Sequence, residues 1–254
     1  MKNQFRLLRH ATLLIRMNQL NILVDPMLSP KDALDPVPNA ANNSRIPMVD
    51  LPVNEAELHN LLQDIDGVII THTHRDHWDV AAQTILNKKI TVFCQPSDIE
   101  KIKSQGFMNV ITVDSQVSFK GLTIIRTGGH HGTGEIEKKM GEVSGFVIKD
   151  LNETVYIAGD TIWCPEVKLA LLKYQPSLTI LNSGAPKYLT SGPITMTAED
   201  VIQVCRTLPC TKVVAVHMET INHCTLNRAG LQAALVTANL LGSVGIPADG
   251  DYFE

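Results

Sequence analysis

His72-Thr73-His74-Arg75-Asp76-His77 places four metal-binding side chains within six positions, directly after the apolar run Val68-Ile69-Ile70. Packing has no use for three imidazoles and a carboxylate this close together. An apolar run that opens into such a cluster marks a strand ending in a functional loop. Imidazole and carboxylate suit Zn, Mn, Fe and Ni, and no cysteine closes the set as in a structural zinc knot. The stretch therefore reads as part of a catalytic metal centre.

The other residues set bounds on what surrounds it. A chain of 254 residues can bury a sizeable core. No linker or low-complexity segment divides it, so the expectation is a single domain over residues 1–254. With 44% hydrophobic residues, 19% charged residues and a net charge of −4, it has no broad basic surface for nucleic acid. No apolar run reaches the roughly 18 residues that span a bilayer, and the N-terminus lacks the apolar stretch of a signal peptide. These features give the expectation of a cytoplasmic protein with no integral membrane segment. The five cysteines are scattered without a C-x-x-C pair and read as free thiols of a reducing compartment. Cys224 alone lies near candidate site residues.

Strand candidates recur along the chain. Leu13-Leu14-Ile15 and Asn21-Ile22-Leu23-Val24 suit a hairpin. Five prolines fall between Pro26 and Pro47 in a long segment that reads equally as a surface excursion or a wall for substrate. Helices are expected over 55–63, 80–87, 97–104 (with Ser97 capping), 165–172, 198–207 and 227–241. Strands are expected over 68–71, 90–94, 110–113, 116–119, 122–127, 145–148, 154–158, 178–182 and 213–216. Hairpins early and centrally, with β-α-β units late, imply mixed sheets flanked by helices, with polar groups gathering at strand ends.

Three more strand ends carry chemistry: Thr127-Gly128-Gly129-His130-His131-Gly132, Ala158-Gly159-Asp160-Thr161 and Val216-His217-Met218. With His72, His74, Asp76 and His77 forming H-x-H-x-D-H, and a His, an Asp and a His following in order, the chain resembles the metallo-β-lactamase fold superfamily over nearly its whole length. His10-Ala11-Thr12 and Leu23-Val24-Asp25-Pro26, with Ala158-Gly159-Asp160-Thr161, are most similar to the branch of L-ascorbate-6-phosphate lactonase-like and N-acyl-phosphatidylethanolamine phospholipase D-like proteins. The resemblance implies an α/β (α+β) fold, a four-layer αβ/βα sandwich of two mixed β-sheets flanked by helices. It assigns His72, His74 and His131 to one metal and Asp76, His77 and His217 to a second, with Asp160 bridging. Asp25 would order the first motif by accepting from a ligating imidazole, although an Asp before Pro also starts turns. The family ligand precedes a small residue, which favours His131, before Gly132, and leaves His130 to support the ligands or face substrate.

Two divalent cations roughly 3.5–4 Å apart lower the pKa of a shared water toward about 7. The expected reaction is attack by the resulting metal-bound hydroxide on a small, anionic substrate: a lactone, another ester or a phosphodiester. Asp76 and Asp160 would act in catalysis as well as ligation, and His223 would protonate a leaving group or grip a phosphate. Zn is the default metal, Mn the alternative from the lactonase-like branch, and Fe or a single ion is left open. So is a homo-oligomer. Two other readings are an iron-dependent, dioxygenase-like redox enzyme on the same frame and a non-catalytic metal-binding protein. His74 stands where di-iron oxygen reductases of the superfamily carry Glu, which favours hydrolysis. His10 and His59 have the weakest claims to a role.

Overall fold

The computed structural model describes residues 3–253. Two seven-stranded sheets are stacked face to face. The first contains β1 (Gln4–Arg9), β2 (Thr12–Met17), β3 (Leu20–Val24), β4 (Gly67–Ile70), β5 (Thr91–Cys94) and β6 (Asn109–Thr112) in chain order, with β14 (Tyr252–Phe253) on the outer edge of β1. The second contains β7 (Gln116–Phe119), β8 (Leu122–Thr127), β9 (Gly145–Lys149), β10 (Thr154–Ile157), β11 (Leu178–Asn182), β12 (Lys212–Val216) and β13 (Val244–Gly245). Each sheet begins antiparallel and becomes parallel, from β3 onward in the first and from β10 onward in the second.

The period-2 geometry of strands explains why the central ones are apolar on both faces. In β4, Ile69 points between the sheets, whereas Val68 and Ile70 point out toward α1 (Glu55–Gln63), α2 (Val80–Ile85) and α3 (Ile99–Ser104). In β12, Val214 and Val216 point inward, and Val213 and Ala215 face α5 (Pro165–Tyr174), α6 (Ala198–Thr207) and α7 (Arg228–Thr237). The layers are thus helix, sheet, sheet, helix, the αβ/βα sandwich expected. Phe93, Phe146, Ile69 and Val214 have no exposed surface in the shared middle layer. Each such side chain contributes about 1.5–3 kcal/mol by leaving water.

Helix ends follow local chemistry. Asn54 and Glu57 form a reciprocal capping box on α1, and Thr197 and Asp200 form one on α6. The expected cap at Ser97 is corrected: Ser97 lies inside a 3₁₀ turn, Pro96–Asp98, and α3 starts behind it without a side-chain cap. The last helix is shorter than expected, because Asn227 accepts from the Gly230 amide as its cap and the helix ends at Thr237. β1, the short edge strands β13 and β14, and a short helix, α4 (Glu135–Met140), form where the sequence pattern gave no element. No helix among the described residues is long and apolar enough to cross a membrane.

Candidate metal centre

Polar side chains gather at one end of the strands of both sheets, as α/β sheets favour. β4 delivers the 72–77 loop, β8 leads to His131, β10 to Asp160, β11 to Asn182, β12 to His217 and β3 to Asp25. Donor atoms of His72, His74 and His131 lie within 4.8 Å of one another, as do those of His72, His77 and Asp160. A third group joins His10, Asp76, His77 and His217 on the same criterion.

The separations fit divalent cations. Four donors with bonds of about 2.0–2.2 Å around one tetrahedral ion stand about 3.4 Å apart. On one side, His77 Nε2 is 3.2 Å from Asp160 Oδ2 and 3.3 Å from His217 Nε2, and His217 Nε2 is 3.3 Å from Asp160 Oδ1. Asp76 Oδ2 completes this group at 3.6 Å from His77 and 3.7 Å from His217. On the other side, His72 Nε2 is 2.9 Å from His74 Nδ1, while Asp160 Oδ2 lies 3.6 Å from His131 and 4.0 Å from His72. Asp160 therefore stands between the two groups, its Oδ1 fixed by Asn182 Nδ2 at 2.7 Å.

Hydrogen bonds on the far ring nitrogens aim these lone pairs inward. His77 Nδ1 donates to Asp25 Oδ2 at 2.8 Å, and His131 Nδ1 donates to the Ile194 carbonyl at 2.7 Å. Asp25 also accepts from the Thr71 amide and hydroxyl, at 2.8 and 2.7 Å, and that hydroxyl oxygen lies 3.0 Å from His72 Nδ1. His217 has no oxygen acceptor of this kind: its Nδ1 is buried without a hydrogen bond, and the Cys224 thiol is the polar side chain beside it.

Without a cation, the centre balances its charge with protons. Burial would lower His77, but Asp160, Asp76 and Asp25 push it up to about 10. His217 is raised likewise, against burial, by Asp160. Burial would raise Asp160 and Asp76, but the facing histidines hold both well below the usual carboxylate range. Burial holds His131 at about 4. A cation on this side must therefore displace at least the His77 proton. Its affinity is expected to rise roughly tenfold per pH unit per proton between about pH 6 and 8. Competition titration against a chromophoric chelator reads this directly, and a flat profile would mean that the imidazoles are already free of protons.

The donors open into a cleft of about 280 Å³. Its walls include Pro36, Val37 and Pro38 from the proline-rich segment, together with Met140, Tyr188 and Ile194. That segment is a wall tied in place by Asn222, which is 1% exposed. The Asn222 side chain accepts from the Val37 amide and donates to the Val37 and Asn42 carbonyls. His223 also lines the cleft; it is 6% exposed, its Nδ1 lacks a partner, and its ring lies 5.6 Å from that of Tyr188. A larger groove, about 1370 Å³, lies under α1 at the opposite ends of β4 and β5, lined by Leu58, Leu62 and Asp66, far from these donors.

Of the adjacent histidines, His131 turns inward. His130 neither supports the donors nor faces the cleft: its ring is held between Glu137 and Glu166, with Nε2 3.1 Å from Glu166, because the Gly-rich turn points it toward α4 and α5. His10, given little weight in the sequence, is fully buried with Nε2 3.2 Å from Asp76 Oδ2. A further signal was Gly184: a Cβ there would lie 2.1 Å from the His217 carbonyl, so only glycine lets these two backbones approach.

This fold and this histidine–carboxylate cluster define a metallo-β-lactamase-type metal centre. Residues 20–218 match the beta-lactamase superfamily domain. The chain is 34% identical over 250 residues to UPF0173 protein YddR of Bacillus subtilis, covering 97% of each chain. An isothiocyanate hydrolase from Delia radicum gut bacteria has 37% identity and a TM-score of 0.93, with 100% of this chain and 99% of that one covered. A possible metal-dependent hydrolase from Veillonella parvula gives 33% identity, a TM-score of 0.94 and 98% coverage of each chain. The chain belongs to the beta-lactamase superfamily, in its UPF0173 group, and is a metal-dependent hydrolase.

Proposed function

We propose that this hydrolase acts on a small, uncharged heterocumulene of the isothiocyanate class, at a dinuclear centre in which His72, His74 and His131 hold one ion, Asp76, His77 and His217 the other, and Asp160 bridges. The cleft carries the reading. Apart from the metal donors and His223, its walls are apolar side chains and Tyr188, and its one arginine, Arg75, is exposed at the rim. A phosphate or carboxylate is ordinarily gripped by several charge-assisted donors, which this cleft lacks among its lining residues. The apolar walls thus favour a neutral substrate over the anionic one expected from the sequence. The similarity to an isothiocyanate hydrolase along the whole chain supports the same class.

When bound, two divalent cations, Zn by default and Mn as the alternative, would lower the pKa of a shared water and polarise the group under attack. The water oxygen bonds to the central carbon of R–N=C=S, and its protons pass to nitrogen. Cleavage of the C–N bond then releases the amine R–NH₂ and carbonyl sulfide. Burial lowers His223 to about 4, so it is neutral at the cleft and placed to take the proton from the attacking water and return it to nitrogen. Pro36, Val37 and Pro38 keep bulk water from the apolar R group.

The test is amine release from allyl and phenethyl isothiocyanate, set beside hydrolysis of a γ-lactone and a phosphodiester. Each is measured before chelation, after it, and after reloading with Zn or Mn. The highest kcat/KM is expected for an isothiocyanate, lost on chelation and restored by metal. A higher kcat/KM for the lactone or the phosphodiester would overturn the substrate class while leaving the metal dependence intact.

A further inference from the structure

His10 belongs to no assigned ligand set, yet it sits against the centre with no exposed surface. It lies in the β1–β2 hairpin, where the register shifts between Leu7 and Arg9, and takes a left-handed φ of 61°. A two-residue hairpin turn places its first residue at positive φ, and His10 holds that position between β1 and β2. The turn is tied to the centre, because the His10 carbonyl accepts from the His217 amide at 2.9 Å.

Two arrangements suit a buried imidazole here: a further metal donor, or a support for the donors. Ring geometry decides between them. Imidazoles on one tetrahedral ion, with bonds of about 2.0–2.1 Å, hold their ring centres about 5 Å apart. The pairs assigned to a common ion stand between 4.4 and 5.5 Å apart. His10 lies 3.7 Å from the ring of His217, too close to share an ion with it at that angle. The two rings lie in direct contact instead, tilted 35° to one another. His10 Nε2 meets Asp76 Oδ2 at 3.2 Å, and Nδ1 is buried with no partner. Asp76 supplies an acceptor, so Nε2 carries the proton, and Nδ1 is the bare nitrogen.

We infer that His10 is a positioning residue for the second metal: its Nε2–H orients the Asp76 carboxylate, and its ring fixes His217, which has no hydrogen bond on its own Nδ1. One side chain thus orients two donors of the same ion and touches neither donor of the first motif's other half, His72 and His74.

This inference rests on the assigned donor set, not on the substrate, so its test reads metal rather than turnover. His10→Phe keeps a flat ring over His217 and removes the donor; His10→Gln keeps an N–H at comparable reach and removes the ring. Zinc titration against a chromophoric chelator should show one of two equivalents weakened by about 10–100-fold in His10→Phe, the other unchanged, and partial recovery in His10→Gln. Two equivalents at parental affinity in His10→Phe would overturn the role. Where that variant does not fold, cadmium-loaded unsubstituted protein decides. Nitrogen–cadmium couplings are expected at His77 and His217 and none at His10, whose Nε2 stays protonated; a coupling to His10 makes it a ligand and sinks the inference.

Discussion

Replacing Asp160 with alanine should lower bound metal from the proposed two ions per chain to one or fewer and reduce kcat/KM by at least about 10³-fold, or about 4 kcal/mol of transition-state stabilisation. Asp160 Oδ2 faces His77, His131 and His72, at 3.2, 3.6 and 4.0 Å, while Oδ1 faces His217 at 3.3 Å. Among the described residues no other carboxylate reaches both donor groups. Its removal also takes away the main charge holding His77 and His217 protonated in the metal-free protein. Those imidazoles can release their protons, so the fold is expected to survive the change. Plasma emission analysis of reloaded protein, together with isothiocyanate turnover, reads both effects. Asp160→Glu keeps the charge on a longer arm and should fall between the two. Two retained metals with undiminished turnover in the alanine variant would remove Asp160 from the bridging position.

Much of the centre was legible because its signals are local. H-x-H-x-D-H packs four donors behind one strand, and His131, Asp160 and His217 each follow an apolar run at the end of a strand. What escaped notice depends on contacts distant in sequence. β1 sets Gln4, Arg6 and Arg9 among apolar residues without a regular period of two, and Arg9 is buried because its guanidinium donates to the Val49, Met27 and Ser29 carbonyls of the proline-rich segment. Nothing in the local sequence predicts those acceptors. His10 follows this strand, and its contact with Asp76 spans 66 positions. The choice between excursion and wall for residues after Asp25 turned on Asn222, whose bonds to Val37 span 185 positions. The inward face of His131 and the outward face of His130 are set by Ile194 on one side and by Glu137 and Glu166 on the other. Adjacent histidines in a glycine-rich turn carry no period that would reveal this.

Asp25 offers the other large effect, and two substitutions separate its structural share from its share in metal binding. In Asp25→Ala, the Thr71 amide, the Thr71 hydroxyl and His77 Nδ1 all lose their acceptor in a fully buried place. At about 1–3 kcal/mol for each buried group left unpaired, the loss is on the order of 3–5 kcal/mol after local relaxation. For a chain of this size that lowers Tm by roughly 6–20 °C. Asp25→Asn is milder for the fold, since asparagine fits the pocket and tolerates the φ of 43° at this position. Its amide oxygen can still accept from Thr71. Its NH₂ group then faces His77 Nδ1 and forces that nitrogen to accept, which moves the imidazole proton to Nε2. Nε2 is the atom that faces Asp76, Asp160 and His217. A proton there blocks the lone pair a cation needs. Asp25→Asn is therefore expected to melt within a few degrees of the parent, yet bind one of the two proposed metals about 10–100-fold more weakly. Calorimetry and chelator competition on the same sample measure the two quantities independently. Parental metal affinity in Asp25→Asn would show that Asp25 contributes packing and hydrogen bonding alone, with no hold on the tautomer of His77.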